Sequence, residues 1–121
     1  MKSGKKQEII SPEDVFELIE ESDEDSNYML IDVRPSWGFS EKHIAGALNL
    51  DCSDPEFKEQ LQELDQGKKY IIYCKSGFRG GKTRDFMEKN GFSEVYNMKG
   101  GLDAWKEANL PTKSGPQLIN E

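Results

Sequence analysis

The sequence is poor in the residues that build disulfide frameworks and metal sites. It has two cysteines, which lie 22 positions apart outside any Cys-x-x-Cys pattern, and a single histidine, His43. So few ligands do not make a structural zinc site, and one cysteine pair does not make a disulfide scaffold. We therefore expect no metal and no cofactor, and a reducing, cytoplasmic setting in which free thiols are the rule.

Long apolar runs are also missing. The apolar stretches, such as the one around residues 29–31, are only a strand in length, whereas a helix needs roughly 20 apolar residues to span a bilayer. The basic residues at the start are not followed by the apolar region of a secretory signal. We therefore expect neither a membrane partner nor a secretory leader.

Positive charge is scarce overall but concentrated in one place. The net charge of −7 argues against a nucleic-acid partner, because such a protein needs a basic face to neutralise phosphates. Between the second cysteine and Asp85, however, every charged residue is a cation: Lys75, Arg79, Lys82 and Arg84. This pattern predicts a basic patch beside the cysteine, although a solvated basic helix face is the simpler alternative.

Strand and helix patterns alternate along a chain whose 121 residues suffice for one domain. The predicted strands cover residues 9–10, 28–33, 45–50, 70–73 and 95–96. The predicted helices start at Pro12 after the cap Ser11, at Pro55 after the cap Asp54, at Gly81 and at Leu102. This order predicts an α/β fold, an open and mostly parallel sheet with helices on both faces. We expect residues 9–111 to form the domain and residues 1–8 and 112–121 to be flexible.

Cys74 occupies the position in this pattern where chemistry is expected. It follows a strand, and the carboxyl ends of parallel strands gather at the edge of the sheet where ligands bind. A helix is predicted to start near Gly80, so its unpaired N–H groups and dipole, with Lys75 and Arg79, favour a thiolate at Cys74. Gly77 allows the backbone to turn closely around the sulfur. The alternative is a small buried cysteine that only packs.

The spacing between Cys74 and Arg79 separates two chemistries. Four residues intervene, whereas cysteine phosphatases have five, because a phosphoryl group needs a larger ring of amides and a bidentate arginine. The shorter loop favours a single sulfur atom or a small sulfur oxyanion. A phosphatase or arsenate reductase is the remote alternative.

Cys52, the other cysteine, is predicted to be a bystander. It could in principle form a disulfide with Cys74 after sulfur transfer. Its acidic neighbours Asp51 and Asp54 are expected to raise its pKa and so lower its reactivity.

Three blocks of residues, in order, resemble the single-domain rhodanese family of thiosulfate sulfurtransferase-like proteins. Residues 30–34, Phe39 and residues 43–49 resemble its D-V-R…H-I-x-G-A-x-N signature. Residues 73–79 resemble its active loop Y-C-x-x-G-x-R, and residues 91–105 resemble its G-F…V…G-G-x-x-A-W ending.

The resemblance implies a rhodanese-like five-stranded parallel sheet and a sulfurtransferase in which Cys74 accepts a sulfane sulfur as a persulfide. Donors would be small sulfur-containing anions such as thiosulfate, or persulfide donor proteins, and acceptors would be cyanide or a thiol. Asp32 and Arg34 would organise the loop, while His43 and Trp105 would be structural. A monomer is favoured. The substrate-binding loop would comprise Lys75, Ser76, Gly77, Phe78, Arg79 and Gly80.

Two residues depart from the family pattern. Gly38 stands where the family often has Glu, which removes a charge partner near Arg34. Gly80 stands where Ser or Ala is usual, which loosens the helix start by about 1 kcal/mol relative to Ala. These departures keep open a second interpretation, a sulfur carrier or regulatory binding module with little turnover.

Overall fold

The computed structural model describes residues 8–21 and 28–117, which alternate between strands and helices. The strands are β1 (Ile9–Ile10), β2 (Tyr28–Asp32), β3 (Leu48–Asn49), β4 (Lys69–Tyr73) and β5 (Glu94–Met98). The helices are α1 (Pro12–Glu21), α2 (Ser36–Glu41), α3 (Phe57–Gln62), α4 (Phe78–Lys89) and α5 (Gly101–Glu107). The flexible ends predicted for residues 1–8 and 112–121 lie partly outside the described residues.

The five strands form one parallel sheet in the order β1-β5-β4-β2-β3. The central strand β4 pairs with β2 in the register Asp32↔Tyr73 and with β5 in the register Ile72↔Asn97. Parallel pairing without hairpins requires a crossover between strands, and the intervening segments supply it. The carboxyl ends of β2 and β4 therefore lie side by side, which confirms the predicted α/β fold.

Helices cover both faces of the sheet, as predicted. Side chains alternate along β4, so Ile71 and Tyr73 pack in the layer that holds α1, α2 and α5. Tyr70 and Ile72 pack in the opposite layer with α3 and α4. A strand that is buried on both faces has no solvent-facing positions for polar side chains, which explains why the sequence of β4 is almost continuously apolar.

Some of the predicted helix boundaries agree with the structure, but the predicted start of α4, next to the cysteine loop, does not. Ser11 caps α1 as expected, since its Oγ accepts the N–H of Asp14 at 3.0 Å, and Gly91 follows α4 with φ +102°. The start of α4 was predicted at Gly81, but the helix begins at Phe78. The cysteine loop is therefore shorter than expected.

No helix in residues 8–21 and 28–117 is long and apolar enough to cross a membrane. Helix α4, for example, has 12 residues.

Helix α2 is not predicted by the sequence pattern. It has only six residues, includes Gly38, and owes its position to long-range contacts. Phe39 is buried in the core, and the carboxylate of Asp51 accepts the N–H of Ser36 at 2.9 Å. Neither contact leaves a signal in the local sequence, because each depends on residues far along the chain.

The chain after Thr112 differs from the flexible tail that was expected to begin there. His43 and Lys113 form an antiparallel bridge through two backbone hydrogen bonds of 2.9 and 2.8 Å. The Gly115 N–H donates to the Ser40 carbonyl at 2.7 Å. The Gln117 side chain accepts the N–H of Asn49 at 2.6 Å. Residues 113–117 thus pack beside α2, while residues 118–121 lie outside the described part of the chain.

Candidate active site

Cys74 lies at the carboxyl end of β4, directly beside the end of β2. The carbonyl of Tyr73 accepts the N–H of Val33 at 3.0 Å, which extends the pairing of the two strands up to the cysteine. Only 4% of Cys74 is exposed. The thiol therefore lies recessed at the sheet edge where the sequence places the chemistry.

Two backbone N–H groups point at the sulfur of Cys74. Those of Gly77 and Gly80 each lie 3.1 Å from Sγ. Gly77 has φ +109° and precedes the first residue of α4, so the loop turns through a left-handed conformation that glycine adopts without strain. The sulfur therefore lies at the amino end of a twelve-residue helix, where free N–H groups favour negative charge.

The start of α5 holds the other side of the loop. The N–H groups of Leu102 and Asp103 donate to the carbonyls of Cys74 and Lys75 at 2.8 and 2.9 Å. Gly101 has φ +62°, and a Cβ there would lie 2.5 Å from the Cys74 oxygen and from the carbonyl carbon of Lys75. Only glycine allows this approach. Sequence reasoning assigned Gly101 no role at the site, although two adjacent glycines before an apolar helix are a usable signal.

Asn97 on β5 contacts the cysteine loop, and no local sequence pattern predicted this role. Its Nδ2 donates to the Gly77 carbonyl at 3.0 Å. Its Oδ1 is buried and receives no hydrogen bond among the described residues. A Cβ at Gly80 would lie 2.3 Å from this Oδ1. Gly80 was expected to loosen the start of the helix; in the structure it also provides the space that the Asn97 amide occupies.

Asp32 and Arg34 form a buried pair beside the loop. The Arg34 Nη2 donates to Asp32 Oδ2 at 2.8 Å, and its Nε lies 3.1 Å from both carboxylate oxygens. Arg34 also donates to the Lys42 carbonyl. Burial lowers the pKa of Arg34, but the hydrogen bonds and charge of Asp32 outweigh it and raise that pKa above its usual value. Among residues 8–21 and 28–117, neither side chain hydrogen-bonds to the cysteine loop, and their predicted role of organising that loop stays a prediction.

Tyr73 joins this pair to the core. Its Oη accepts the N–H of Ile44 at 3.1 Å, and its ring lies 5.9 Å from the guanidinium carbon of Arg34. Burial, together with the negative charge of Asp32, raises the pKa of Tyr73 far above the ordinary value. The tyrosine therefore stays a neutral hydrogen-bonding residue at any physiological pH.

The predicted loop side chains surround a cavity of about 180 Å³ that Cys74 borders. Phe78 is 71% exposed and has the Nζ of Lys82 at 4.8 Å from its ring centre. Lys75 forms an exposed ion pair with Asp103 at 3.0 Å. Gly77 and Gly80 contribute their N–H groups to the sulfur. The cavity is lined by Arg34, Pro35, Cys52, Cys74, Lys75, Ser76, Phe78 and Arg79.

Cys52 borders the same cavity. Its pKa is raised, as predicted, but burial is the largest cause, followed in the opposite direction by the positive charge of Arg79. Asp51 adds a smaller upward effect. Asp54, the second predicted cause, is not among the main causes of the shift, and its carboxylate accepts the N–H of Glu56 at 2.8 Å. The bystander role of Cys52 stays a prediction.

The remaining residues named from the sequence have framework contacts. His43 stacks on Phe39 with ring centres 3.7 Å apart, and its Nδ1 lies 2.7 Å from the Phe39 carbonyl. Trp105 is buried, and its Nε1 donates to the Pro111 carbonyl at 2.8 Å. A Cβ at Gly38 would lie 3.4 Å from Arg34 Nη1, so a side chain there would adjoin the guanidinium, in agreement with the missing charge partner.

Comparison with protein families and with known proteins gives a consistent result. The family model described as "Rhodanese-like domain" matches residues 11–108. A protein of Coxiella burnetii named thiosulfate sulfurtransferase GlpE is 32% identical over 103 residues, which cover 85% of this chain and 90% of that protein. The uncharacterized protein YqhL of Bacillus subtilis is 38% identical over 76 residues, 63% of this chain and 59% of its own length.

Solved structures share the fold. A rhodanese-related protein from Thermoplasma volcanium superposes with a TM-score of 0.75 at 26% identity, over 88% of this chain and 97% of that one. The Escherichia coli protein SseA, whose structure is described under 3-mercaptopyruvate sulfotransferases, gives a TM-score of 0.76 at 19% identity. This match covers 96% of the present chain and 55% of SseA. At that identity the likeness concerns the fold alone.

Proposed function

The chain belongs to the family of rhodanese-like domains, and we propose that it is a sulfurtransferase that works through a persulfide on Cys74. In this proposal Cys74 takes a sulfane sulfur from a donor such as thiosulfate and passes it to a thiophilic acceptor. Relatives named thiosulfate sulfurtransferase, at 30–32% identity over most of their length, support this choice of reaction.

The observation that carries the proposal is the pair of N–H groups directed at Cys74 Sγ. Both are 3.1 Å from the sulfur; Gly77 ends the loop that α5 and Asn97 hold, and Gly80 lies in the first turn of α4. Such N–H groups stabilise a thiolate, and the thiolate is the reactive form of cysteine. A cysteine that only packs in a core has no need of two converging donors.

The reaction divides into two displacements. The Cys74 thiolate attacks the outer sulfur of thiosulfate, the sulfur–sulfur bond of the donor breaks, and sulfite leaves with the electron pair. The acceptor, cyanide or a thiolate, then attacks the outer sulfur of the Cys74 persulfide, and the bond to Sγ breaks. Negative charge returns to Sγ at the end, where the Gly77 and Gly80 N–H groups receive it. No oxidant or reductant is consumed.

The surroundings of the cavity favour an anionic donor. Lys75 and Arg79 border it and attract anions, Ser76 offers a hydroxyl, and Phe78 offers an apolar contact. We propose small sulfur-containing anions or persulfide donor proteins as donors, and cyanide or a thiol as acceptor, in the cytoplasm. Gly77 and Gly80 act through their backbones, and Asp32 and Arg34 position the segment beside the loop.

The direct test is the mass of the protein after incubation with thiosulfate. We expect one added sulfur atom on the peptide that contains Cys74, and its loss when cyanide is added. Cys74→Ser should remain unmodified, whereas Cys52→Ser, the matched control at the same cavity, should be modified like the parent. An unchanged mass with thiosulfate and with every other sulfane donor tried would contradict the proposal.

A second measurement asks whether the protein turns over as an enzyme. A persulfide that forms but passes to no small acceptor would identify a sulfur carrier or regulatory module instead of an enzyme. The measurement is the rate of thiocyanate formation in excess thiosulfate and cyanide. Rapid, Cys74-dependent formation is the result expected of a sulfurtransferase.

A further inference from the structure

Two large exposed aromatic side chains lie near the active site, Phe78 in the wall of the Cys74 cavity and Trp37 in the wall of a neighbouring cavity. Trp37 on α2 is 69% exposed and Phe78 on α4 is 71% exposed. Among the residues described, Ile9 on the edge strand β1 is the third large hydrophobic side chain left in solvent. Exposed apolar surface is costly in water, and aromatic residues are enriched where proteins bind one another. Their position at the site entrance points to an interaction surface.

The two aromatic residues line two neighbouring cavities that share part of their walls. A cavity of about 470 Å³ lies between α2 and α5, where Trp37 and Lys106 are among its walls. It shares Arg34, Pro35 and Lys75 with the smaller cavity that Cys74 borders. We refer to the two neighbouring cavities together as the Cys74–Trp37 groove. Its combined size exceeds what thiosulfate alone requires and is enough for side chains of a bound segment.

The groove is basic in an acidic protein. The chain has a net charge of −7, yet the cations outnumber the carboxylates Glu41 and Asp103 in the groove walls. Within residues 8–21 and 28–117, three of these cations have no ion-pair partner: Lys42, Arg79 and Lys106. The cations that line the groove are Arg34, Lys42, Lys75, Arg79 and Lys106.

The one ion pair at the entrance is easily exchanged. Lys75 and Asp103 are both exposed, and such pairs contribute little to stability because water screens them. A carboxylate on an approaching molecule can therefore compete with Asp103 for Lys75. Arg34, by contrast, is held by the buried carboxylate of Asp32 and keeps the groove wall in place.

We propose that the Cys74–Trp37 groove docks an acidic protein segment that carries a cysteine, the acceptor of the sulfur held on Cys74. The proposal rests on the sulfur transfer described under "Proposed function" and names its partner. The cysteine thiolate of the segment attacks the outer sulfur of the Cys74 persulfide, a new sulfur–sulfur bond forms, and Cys74 leaves as a thiolate. Since Cys74 is recessed, an extended segment with acidic and apolar residues fits better than a flat surface.

The test uses two synthetic peptides of equal length, each with one central cysteine and one leucine on either side. One peptide has aspartate and glutamate at its remaining positions, and the other has lysine and arginine. Protein loaded from thiosulfate is mixed with each peptide, and sulfur transfer is followed by mass. We expect transfer to the acidic peptide to be about tenfold faster at low salt, and this preference to shrink at high salt.

The aromatic contact is tested with Trp37→Ala. The ratio of the transfer rate with the acidic peptide to that with cyanide should fall several-fold, because cyanide does not need the docking surface. Ile9→Ala, which removes the exposed side chain on the far strand, should leave that ratio unchanged. Equal rates with both peptides, together with no effect of Trp37→Ala, would overturn the proposal.

A binding measurement separates this proposal from the sulfur chemistry. The fluorescence of the exposed Trp37 should shift when an acidic peptide with serine in place of its cysteine is added, whether or not Cys74 can be loaded. Vesicles of phosphatidylserine and phosphatidylcholine, and a single-stranded oligonucleotide, serve as competing ligands. Tighter binding of either one than of the acidic peptide would assign the groove to a membrane surface or a nucleic acid and reject a protein segment.

Discussion

The two cysteines of this protein border the same cavity in different surroundings. Cys74 receives two N–H groups at 3.1 Å and is held by a strand, a helix start and the first residues of α5. Cys52 follows β3 in a half-buried loop, where the backbone hydrogen bond that lowers the pKa of its thiol comes from its own residue. Burial raises the pKa of Cys52, and the positive charge of Arg79 only partly opposes that effect.

The comparison shows that a nearby cation is not what distinguishes the two thiols, because Arg79 borders both. The difference is the pair of backbone N–H groups, from Gly77 and Gly80, that point at Cys74 Sγ. The fold fixes their direction before any reaction, so no free energy is spent on arranging them during the reaction. A charged side chain in solvent is screened by water, whereas an amide that points at a recessed sulfur is not. The predictions below test whether that arrangement makes Cys74 the working cysteine.

The largest effect is expected for Gly101→Ala. The new Cβ would lie 2.5 Å from the backbone of Cys74 and Lys75, at φ +62°, so the loop must move. We expect loading from thiosulfate to fall about 100-fold, as a displacement near 1 Å can cause, and the free energy of unfolding to fall by about 2 kcal/mol or more. Loading is measured by mass and stability by urea unfolding.

Gly115→Ala is the matched control for that variant. Gly115 also has a positive φ, +118°, but nothing lies within 4 Å of the added Cβ. It should lose about 1 kcal/mol of stability through backbone strain and load sulfur at the parental rate. If the Gly101→Ala protein is destabilised but still loads sulfur at the parental rate, α5 does not position the loop.

A smaller effect is expected for Gly80→Ala. Its Cβ would lie 2.3 Å from Asn97 Oδ1, and Asn97 must shift away from the Gly77 carbonyl to make room. Gly81→Ala is the neighbouring control, since its Cβ meets Asn97 Nδ2 at an ordinary 3.5 Å. We expect Gly81→Ala to raise the free energy of unfolding by up to about 1 kcal/mol through helix propensity. Gly80→Ala should show no such increase in stability and should load sulfur several-fold more slowly.

A double-mutant cycle isolates the contact behind this difference. In an Asn97→Ala background, Gly80→Ala should cost much less than it does in the parent protein. Equal costs in the two backgrounds would mean that Asn97 is not the obstacle.

The smallest effect concerns the pKa of Cys52. Because this pKa is raised, the thiolate fraction at neutral pH is small, and alkylation of Cys52 should reach its midpoint above the pH of an ordinary thiol. Arg79→Gln removes a charge that lowers the pKa, so the midpoint should move up, and Asp51→Asn should move it down. The pH profile of iodoacetamide labelling, read by peptide mass, measures it.

Lys58→Gln serves as the control for the Cys52 titration. Lys58 borders a neighbouring cavity that Cys52 also lines, but it is not among the main causes of the shift in the pKa of Cys52. Its midpoint should equal that of the parent. A Cys52 midpoint at or below the ordinary thiol range would contradict the contrast between the two cysteines.

Local sequence patterns predicted much of the fold because they follow from the chain itself. The apolar run of β4 predicts a strand buried on both faces, and the cap at Ser11 predicts the start of α1. Helix α2 escaped prediction, since Gly38 weakens its helical pattern and the cap of its first turn comes from Asp51. The helix start at Phe78 was missed because the turn at Gly77 became clear only from its backbone angles.

The sequence by itself determined that Cys74 ends a strand, precedes a helix and is followed at a fixed spacing by Arg79, because these relations lie within a few consecutive residues. Only the tertiary structure decided that Gly101 and Asn97 hold the cysteine loop, that Cys52 borders the same cavity, and that Trp37 lies beside it. Those contacts join segments 20 or more residues apart in the chain. Packing of the finished sheet and helices brings them together, and no local pattern encodes that packing.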